Sequence, residues 1–171
     1  MTEEELIEVK PEFMGFHDGS YPGAFPPKVS MRIKNLVESP CLHLFSGSSK
    51  IGDVRVDLER PEATNHEDVF QFVQDDNKQW KWVVLDPIYS IKRANIKLKP
   101  YARYESVSGT LLAQRLLEDF LRGHAENVLW FDICSPCPVG FERQKFWVFL
   151  PGAYRTCRVL TWLKRKGERL I

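Results

Sequence analysis

The sequence predicts an α/β fold in which helices cover both faces of a mostly parallel sheet that ends in an antiparallel hairpin. Residues 41–45 and 80–85 are mainly apolar runs of strand length, as is typical of parallel strands buried on both faces. The first run leads into Phe-Ser-Gly and the second into Asp-Pro, which are residues suited to a binding loop. Residues 144–150 and 156–163 are two further strands, which a Pro-Gly turn joins as a hairpin. Ligands of open α/β sheets bind beyond the carboxyl ends of parallel strands, so we expect the functional site there.

Length and composition indicate one domain preceded by an arm. The chain has 171 residues, of which 43% are hydrophobic, an ordinary value for a globular protein. Residues 1–26 are rich in turn formers and are assigned to an N-terminal arm, and residues 27–171 to the domain. The net charge is +1, but six acids fall in the first 18 residues and bases dominate after residue 142. Such asymmetry permits contact with a polyanion, although a solvated basic face is its commoner explanation.

Targeting signals and cysteines favour an intracellular protein without a metal. No stretch approaches the roughly 18 apolar residues of a membrane span, and the acidic N-terminal segment does not resemble a signal peptide. We therefore expect a cytoplasmic protein that does not contact a membrane. The four cysteines are interpreted as core thiols. Cys134 and Cys137 have C-x-x-C spacing, but a structural zinc site usually takes two such pairs, and the sequence holds one.

The first half of the domain contains an unusually short connection. Pro27 suits a first helical turn, and the following apolar residues recur at helical spacing until Ser39-Pro40 ends the helix. After the strand at 41–45, only about six residues separate Gly47 from a short strand that ends at Asp57. A parallel crossover normally needs a dozen residues, so the two strands are either antiparallel or joined by a tight crossover. We favour the tight crossover, because it brings Gly47 and Asp57 to the same edge of the sheet.

The remaining elements alternate between strands and helices. A short strand near 64–66 and a brief helix over 69–73 precede the strand at 80–85. Residues 90–108 are basic and aperiodic, which is typical of a functional or disordered loop. Ser108 is a good N-cap for a helix whose apolar face ends at Gly123. A strand at 127–133 and a loop at 134–140 lead into the hairpin. The hairpin residues expected to pack are Phe146, Val148, Val159 and Leu163.

The order of these elements resembles the class I S-adenosylmethionine-dependent methyltransferases, which are Rossmann-like. More narrowly it resembles their amino-methyltransferase branch, the DNA adenine and cytosine amino-methylases, over residues 41–163. The Phe-x-Gly-x-Gly cofactor loop of that family appears here as Phe45-Ser46-Gly47-Ser48-Ser49, in which Ser49 replaces the second glycine. Its Asp-Pro-Pro-Tyr box appears as Asp86-Pro87-Ile88-Tyr89, in which Ile88 replaces the second proline.

The resemblance implies a cofactor, an acceptor and a set of site residues. The cofactor is S-adenosyl-L-methionine, and the acceptor is an exocyclic amino group of a nucleobase in DNA or RNA. The ribose-binding acid of the family falls on Asp57, and its adenine-contacting acid falls on Asp68. The implied cofactor-binding residues are Phe45, Ser46, Gly47, Ser48, Asp57, Asp68 and Val69. The implied catalytic residues are Asp86, Pro87 and Tyr89.

Elementary chemistry is consistent with these roles. Methyl transfer from a sulfonium is an in-line displacement that needs no metal. A glycine at a strand end lets the backbone approach a ligand closely, and an acid at the next strand end can accept ribose hydroxyls. Asp86 and the Pro87 carbonyl could accept the two amine N–H groups, which makes the nitrogen more nucleophilic. Tyr89 could stack on the base, and a base in a duplex would have to be flipped out.

Other interpretations of the same residues remain open. An acid that ends a strand is usually a solvated turn residue, and Asp-Pro-x-Tyr can be a plain β-turn. His43 is interpreted as a satisfied core residue. Ile88, Ser49 and the absence of a separate target-recognition domain favour a second function: a non-catalytic nucleic-acid-binding or regulatory protein with a degenerate methyltransferase fold. Methylation of a protein or small molecule is a third. Nothing in the sequence specifies an oligomeric state.

Overall fold

The computed structural model describes residues 11–14, 25–87, 111–150 and 157–167. In these ranges it contains seven strands and three helices. The strands are β1 (Glu12–Phe13), β2 (Cys41–Leu44), β3 (Val54–Val56), β4 (Trp80–Leu85), β5 (Ala125–Asp132), β6 (Phe141–Leu150) and β7 (Arg158–Arg165). The helices are α1 (Pro27–Lys34), α2 (Val69–Asp75) and α3 (Leu111–His124). Ile88, Tyr89, the basic loop 90–108 and Ser108 lie outside the described residues.

All seven strands form one mixed sheet in the order β1-β6-β7-β5-β4-β2-β3. Strands β2, β3, β4 and β5 run parallel, whereas β7 is antiparallel to both of its neighbours, β5 and β6. The predicted α/β class with a C-terminal antiparallel hairpin is therefore confirmed. The short strand expected at 64–66 is reduced to a single bridge between Asn65 and Val56, parallel in sense. Among the described elements, no helix is long and apolar enough to span a membrane.

The tight crossover between β2 and β3 is also confirmed, since the two strands pair in parallel with no helix between them. A reciprocal pair of hydrogen bonds holds the connection: the Asp53 amide donates to the Cys41 carbonyl at 2.8 Å, and the Cys41 amide donates to Asp53 Oδ2 at 2.8 Å. Gly52 adopts a φ of +94°, and a Cβ there would lie 3.2 Å from the Cys41 carbonyl oxygen. The crossover is short because glycine lets the chain turn directly beside β2.

The core is divided by the sheet into two apolar clusters. Helices α2 and α3 cover one face, where Leu44, Leu85 and Val128 are fully buried beneath Phe72 and Leu117. Helix α1 covers the other face, and its buried residues are Val29 and Ile33, in a cluster with Trp82, Val84 and Leu129. Each fully buried side chain of this size contributes roughly 1.5–3 kcal/mol. Helices therefore lie on both faces, as predicted.

Two details of the predicted elements are wrong. Gly123 was expected to end α3, but the helix continues to His124, and Arg165 Nη1 donates to the carbonyls of Arg122 and Gly123. Those carbonyls therefore have a side-chain donor, and a glycine cap at the end of the helix is not needed to satisfy them. Phe146 was expected to pack but is 42% exposed. It lies in the middle of β6, whereas Phe141 and Phe149 near the two ends of that strand are buried in the two apolar clusters.

The other hairpin residues pack as expected to different degrees. Leu163 is fully buried, whereas Val148 and Val159 are half-buried. Strand β6 begins three residues earlier than predicted, and β7 has the predicted length but lies two residues further along the chain. Their register shifts between Arg143 and Lys145.

Candidate functional site

The carboxyl ends of β2 and β4 form the topological switch point of the sheet. From β2 the chain moves outward to β3, and it then returns to β4 on the opposite side of β2. Leu44 and Leu85 are register partners, so Phe45 and Asp86 are the next residues at the same edge of adjacent strands. In open α/β sheets this crevice is where ligands bind. The two predicted binding stretches thus lie side by side.

The segment after β2 folds into a turn with two residues in the left-handed region. Phe45 has a φ of 57° and Gly47 a φ of 54°. A non-glycine residue in this region costs of order 1–3 kcal/mol, and such strain clusters at functional sites. The Ser46 amide donates to the Val56 carbonyl at 3.0 Å, which ties the turn to β3.

Ser46 carries an unsatisfied polar group inside this turn. The residue is 1% exposed, and its Oγ has no hydrogen-bond partner among the described residues. A buried polar group without a partner costs about 1–3 kcal/mol. The hydroxyl is therefore a group that a bound ligand or water would satisfy.

Asp57 connects the turn to the end of β3. Its Oδ2 accepts the Gly47 amide at 3.0 Å, and its Oδ1 accepts the amides of Glu59 and Arg60, both at 3.1 Å. The carboxylate is buried, and charge-assisted bonds of this kind are about twice as strong as neutral ones. The expectation that Gly47 and Asp57 share one edge is confirmed. Asp57 fixes the shape of the turn at residues 45–47, which we call the glycine turn.

Asp68 and Val69 have structural contacts at the start of α2. Asp68 is the N-cap, and its Oδ1 accepts the amides of Phe70 at 2.6 Å and Gln71 at 3.3 Å. Val69 is buried in the cluster under α2 and α3. A cap of this type stabilises a helix by about 1 kcal/mol. Both residues thus support α2, and their predicted contact with the cofactor stays a prediction.

Asp86 is held by an arginine from the antiparallel strand. Arg158 Nη2 lies 3.0 Å from Asp86 Oδ1, and the two side chains are 14% and 16% exposed respectively. The Arg158 guanidinium also lies 4.2 Å from the centroid of the Phe131 ring. Burial raises the pKa of Asp86 to about 6, while Arg158 opposes the rise and the Asp132 carboxylate adds to it. The carboxylate is thus mostly ionised at pH 7 but close to titration.

Asp132 lies at the end of β5, and its carboxyl group bonds within its own segment. Its Oδ1 accepts the Ile133 amide at 2.6 Å, and its Oδ2 accepts Trp130 Nε1 at 3.3 Å. Burial raises the pKa of Asp132, while these hydrogen bonds and Arg158 lower it. Two acids and one arginine from three adjacent strands therefore meet at the predicted edge.

Sequence reasoning missed Arg158 and Asp132 as members of the site. A signal was present, because an antiparallel strand beside 127–133 starts at the edge where the parallel strands end. The first residues of β7 therefore lie beside the carboxyl end of β5, close to Asp86. The observed register pairs Asp132 with Val159.

Among the described residues, His43 and the cysteines do not form a metal site. His43 is fully buried, its Nδ1 lies 3.2 Å from the Ile51 carbonyl, and its Nε2 has no partner among the described residues. Cys41 is buried, but Cys134, Cys137 and Cys157 are exposed, so the prediction of core thiols is wrong for three. These three lie in a surface loop and just before β7. In the described ranges no group of three or more His, Cys, Asp or Glu residues could hold a metal.

The likeness of the chain to known proteins is structural and distant. No protein-family model and no curated protein matches the chain. Among solved structures it is similar to an Escherichia coli protein described as "Putative methyltransferase yhhF", at 13% identity and a TM-score of 0.49. The alignment covers 92% of this chain and 99% of that one. A likeness at this level carries no argument about activity.

The sheet order and the site at its switch point define the class of the protein. It is an α/β protein with a Rossmann-like, mostly parallel sheet, in which an antiparallel strand lies beside β5.

Proposed function

We propose that the protein is an S-adenosylmethionine-dependent methyltransferase that acts on an exocyclic amino group of a nucleobase in DNA or RNA. The observation that carries the proposal is the pairing of Leu44 with Leu85, which sets the glycine turn beside Asp86 at the switch point. The resemblance assigns cofactor binding to the first of these stretches and the acceptor amine to the second.

The glycine turn fits the cofactor. Gly47 has a positive φ and no side chain, so a ligand can approach its backbone closely. The unpartnered Ser46 hydroxyl supplies a buried hydrogen-bonding group. Asp57, the acid assigned to ribose, is fixed next to the turn by its bond to the Gly47 amide. When bound, the cofactor supplies an electrophilic methyl group on a sulfonium.

The end of β4 fits the acceptor amine. The Asp86 carboxylate lies at the strand end and is mostly shielded from water, so an N–H donor would be bound there with little competition from solvent. Above pH 6 the group is mostly ionised and can accept two N–H bonds or a proton. Pro87 follows it, and its carbonyl is the second acceptor of the proposal.

Transfer of a labelled methyl group from the cofactor to DNA and to RNA tests this function. Asp86→Asn keeps the size of the side chain, so it should retain cofactor binding but lose about 100-fold or more of the transfer rate. Asp75→Asn, on the exposed surface of α2, is the matched control and should transfer at the wild-type rate. An Asp86→Asn variant as fast as wild type would end the catalytic assignment of Asp86.

A second candidate function is a non-catalytic nucleic-acid-binding protein with the same fold. The observation that favours it is the Asp86–Arg158 ion pair, which already neutralises the assigned catalytic acid within the chain. The same assay separates the two candidates. Binding of nucleic acid without any label transfer by the wild-type protein supports this second function.

A further inference from the structure

Arg158 is held in a fixed place at the edge of the site. It is the first residue of β7, and its register partner across the hairpin is Phe149. Its guanidinium lies over the Phe131 ring, an attraction of about 0.5–2 kcal/mol. Phe131 is packed edge-to-face against Phe149 and Phe25, at centroid distances of 6.2 Å and 5.7 Å. The arginine therefore rests on a rigid aromatic support.

Arg158 makes its ion pair with Asp86 although a second acid is near. The oxygens of Asp132 accept hydrogen bonds from Ile133 and Trp130, so this acid acts on its neighbours through charge. Among the described residues, the charged groups that act on Asp86 are Arg158 from β7 and Asp132 from β5. Burial and Asp132 favour the neutral acid, and Arg158 favours the carboxylate.

We propose that Arg158 is a positioning residue, which keeps Asp86 ionised and fixed in orientation where the acceptor amine binds. This inference rests on the proposed function. In the transfer, the acceptor nitrogen forms the new C–N bond as the C–S bond breaks with its electron pair on sulfur. The nitrogen must then lose a proton, and Asp86 can accept it only as a carboxylate. A neutral Asp86 would instead donate its O–H to the nitrogen lone pair.

Two readouts test the proposal: the pKa of Asp86, from carboxyl-carbon NMR of the cofactor-free protein, and the pH profile of methyl transfer. Arg158→Gln should raise the pKa of Asp86 by about 1–3 units and move the acid limb of the rate upward equally. At pH 7 the rate should then fall between about twofold and about 100-fold, and it should recover at higher pH. Arg158→Lys keeps the positive charge, so the pKa of Asp86 should lie close to its wild-type value.

Two further variants act as controls. Asp132→Asn removes the like charge, so it should lower the pKa of Asp86 and move the acid limb downward. It leaves the ion pair intact, so it tests whether the acid limb of the rate follows the pKa of Asp86 when Arg158 is unchanged. Arg165→Gln removes a guanidinium at the opposite end of β7, where it bonds the last carbonyls of α3. This variant should leave the pKa of Asp86 unchanged.

The outcomes separate this inference from the proposed function. An unchanged pKa of Asp86 in Arg158→Gln, or an equal loss of rate at every pH, overturns the positioning role. Failure of the wild-type protein to transfer methyl to any nucleic acid overturns the proposed function. In that case the NMR titration still decides whether Arg158 controls the ionisation of Asp86.

Discussion

Ser46 is the residue whose environment most directly indicates a ligand. Its hydroxyl is buried in a turn at the switch point and has no partner among the described residues. Polar groups are rarely buried without a hydrogen-bond partner in a folded protein, because each such group carries an unrecovered desolvation cost. Binding sites typically contain such groups, whose desolvation cost in the free protein is recovered when a ligand binds.

Ser46→Ala should therefore leave the free protein as stable as wild type, or more stable by about 1 kcal/mol. It should also reduce the stabilisation expected from the proposed S-adenosylmethionine binding, which by linkage raises the free energy of unfolding of the wild type by about 2.7 kcal/mol at 100 times Kd. Thermal unfolding with and without cofactor measures both effects. Ser39→Ala, which removes a bond to Asp53 outside the turn, is the control. An unchanged cofactor shift in Ser46→Ala would remove the hydroxyl from the binding site.

The crossover between β2 and β3 is the element in which a single backbone position decides the geometry. Gly52 has a positive φ, and an added Cβ would meet the Cys41 carbonyl, His43 Cβ and the Val54 carbonyl at 3.2–3.3 Å. Two of these neighbours are backbone atoms, which cannot move without disturbing the pairing of β2 with β3.

Gly52→Ala should lower the free energy of unfolding by roughly 1–3 kcal/mol, because it adds a strained φ and close contacts. Gly123→Ala is the matched control, since a Cβ at Gly123 meets nothing within 4 Å in the last turn of α3. It should stabilise the protein by about 0.5–1 kcal/mol, the helix preference of alanine over glycine. Urea unfolding of both variants measures the difference. Equal effects of the two substitutions would contradict the steric argument.

Elements were predictable from sequence where one physical signal dominated. The strand at Trp80–Leu85 was predicted with its observed bounds, because its apolar residues are buried on both faces. The short connection between Gly47 and Asp57 left two arrangements open, and the tight crossover was favoured because it brings both residues to the same edge of the sheet. Phe146 was misplaced because hydrophobicity does not reveal which part of a strand a helix covers. Arg158 was missed because its role depends on a contact between residues 72 positions apart.

At the scale of the whole molecule, two buried titratable groups, His43 and Asp86, change the stability in opposite directions as the pH changes. Burial lowers the pKa of His43 to about 4, so its contribution to stability is present above pH 6.5 and lost as the pH falls toward 4. Burial raises the pKa of Asp86 to about 6, so its contribution is present below pH 4 and lost as the pH rises through 6. Each shift corresponds to roughly 3 kcal/mol. Between pH 4 and 6 the two contributions largely cancel.

Single substitutions should expose each titration. Asp86→Asn removes the contribution to stability that decreases as the pH rises. The His43 contribution then remains alone, so the free energy of unfolding of this variant should increase steeply from pH 4 to pH 6. His43→Phe, which retains an aromatic ring against Phe25, should show the opposite slope. Urea unfolding at several pH values measures both slopes, with the wild type as the reference. Parallel pH profiles for the two variants would show that these groups do not govern the acid response.

The insertion of β7 between β5 and β6 has a consequence for synthesis on the ribosome. Because β7 is the last strand of the described chain to emerge, a nascent chain that has reached β6 still has an open edge on β5. Open edges of this kind can pair with other chains. Until Arg158 emerges, Asp86 also lacks its counter-charge. The sheet is thus closed and the ion pair of Asp86 is formed in a single late event, and a stalled chain is expected to be aggregation-prone.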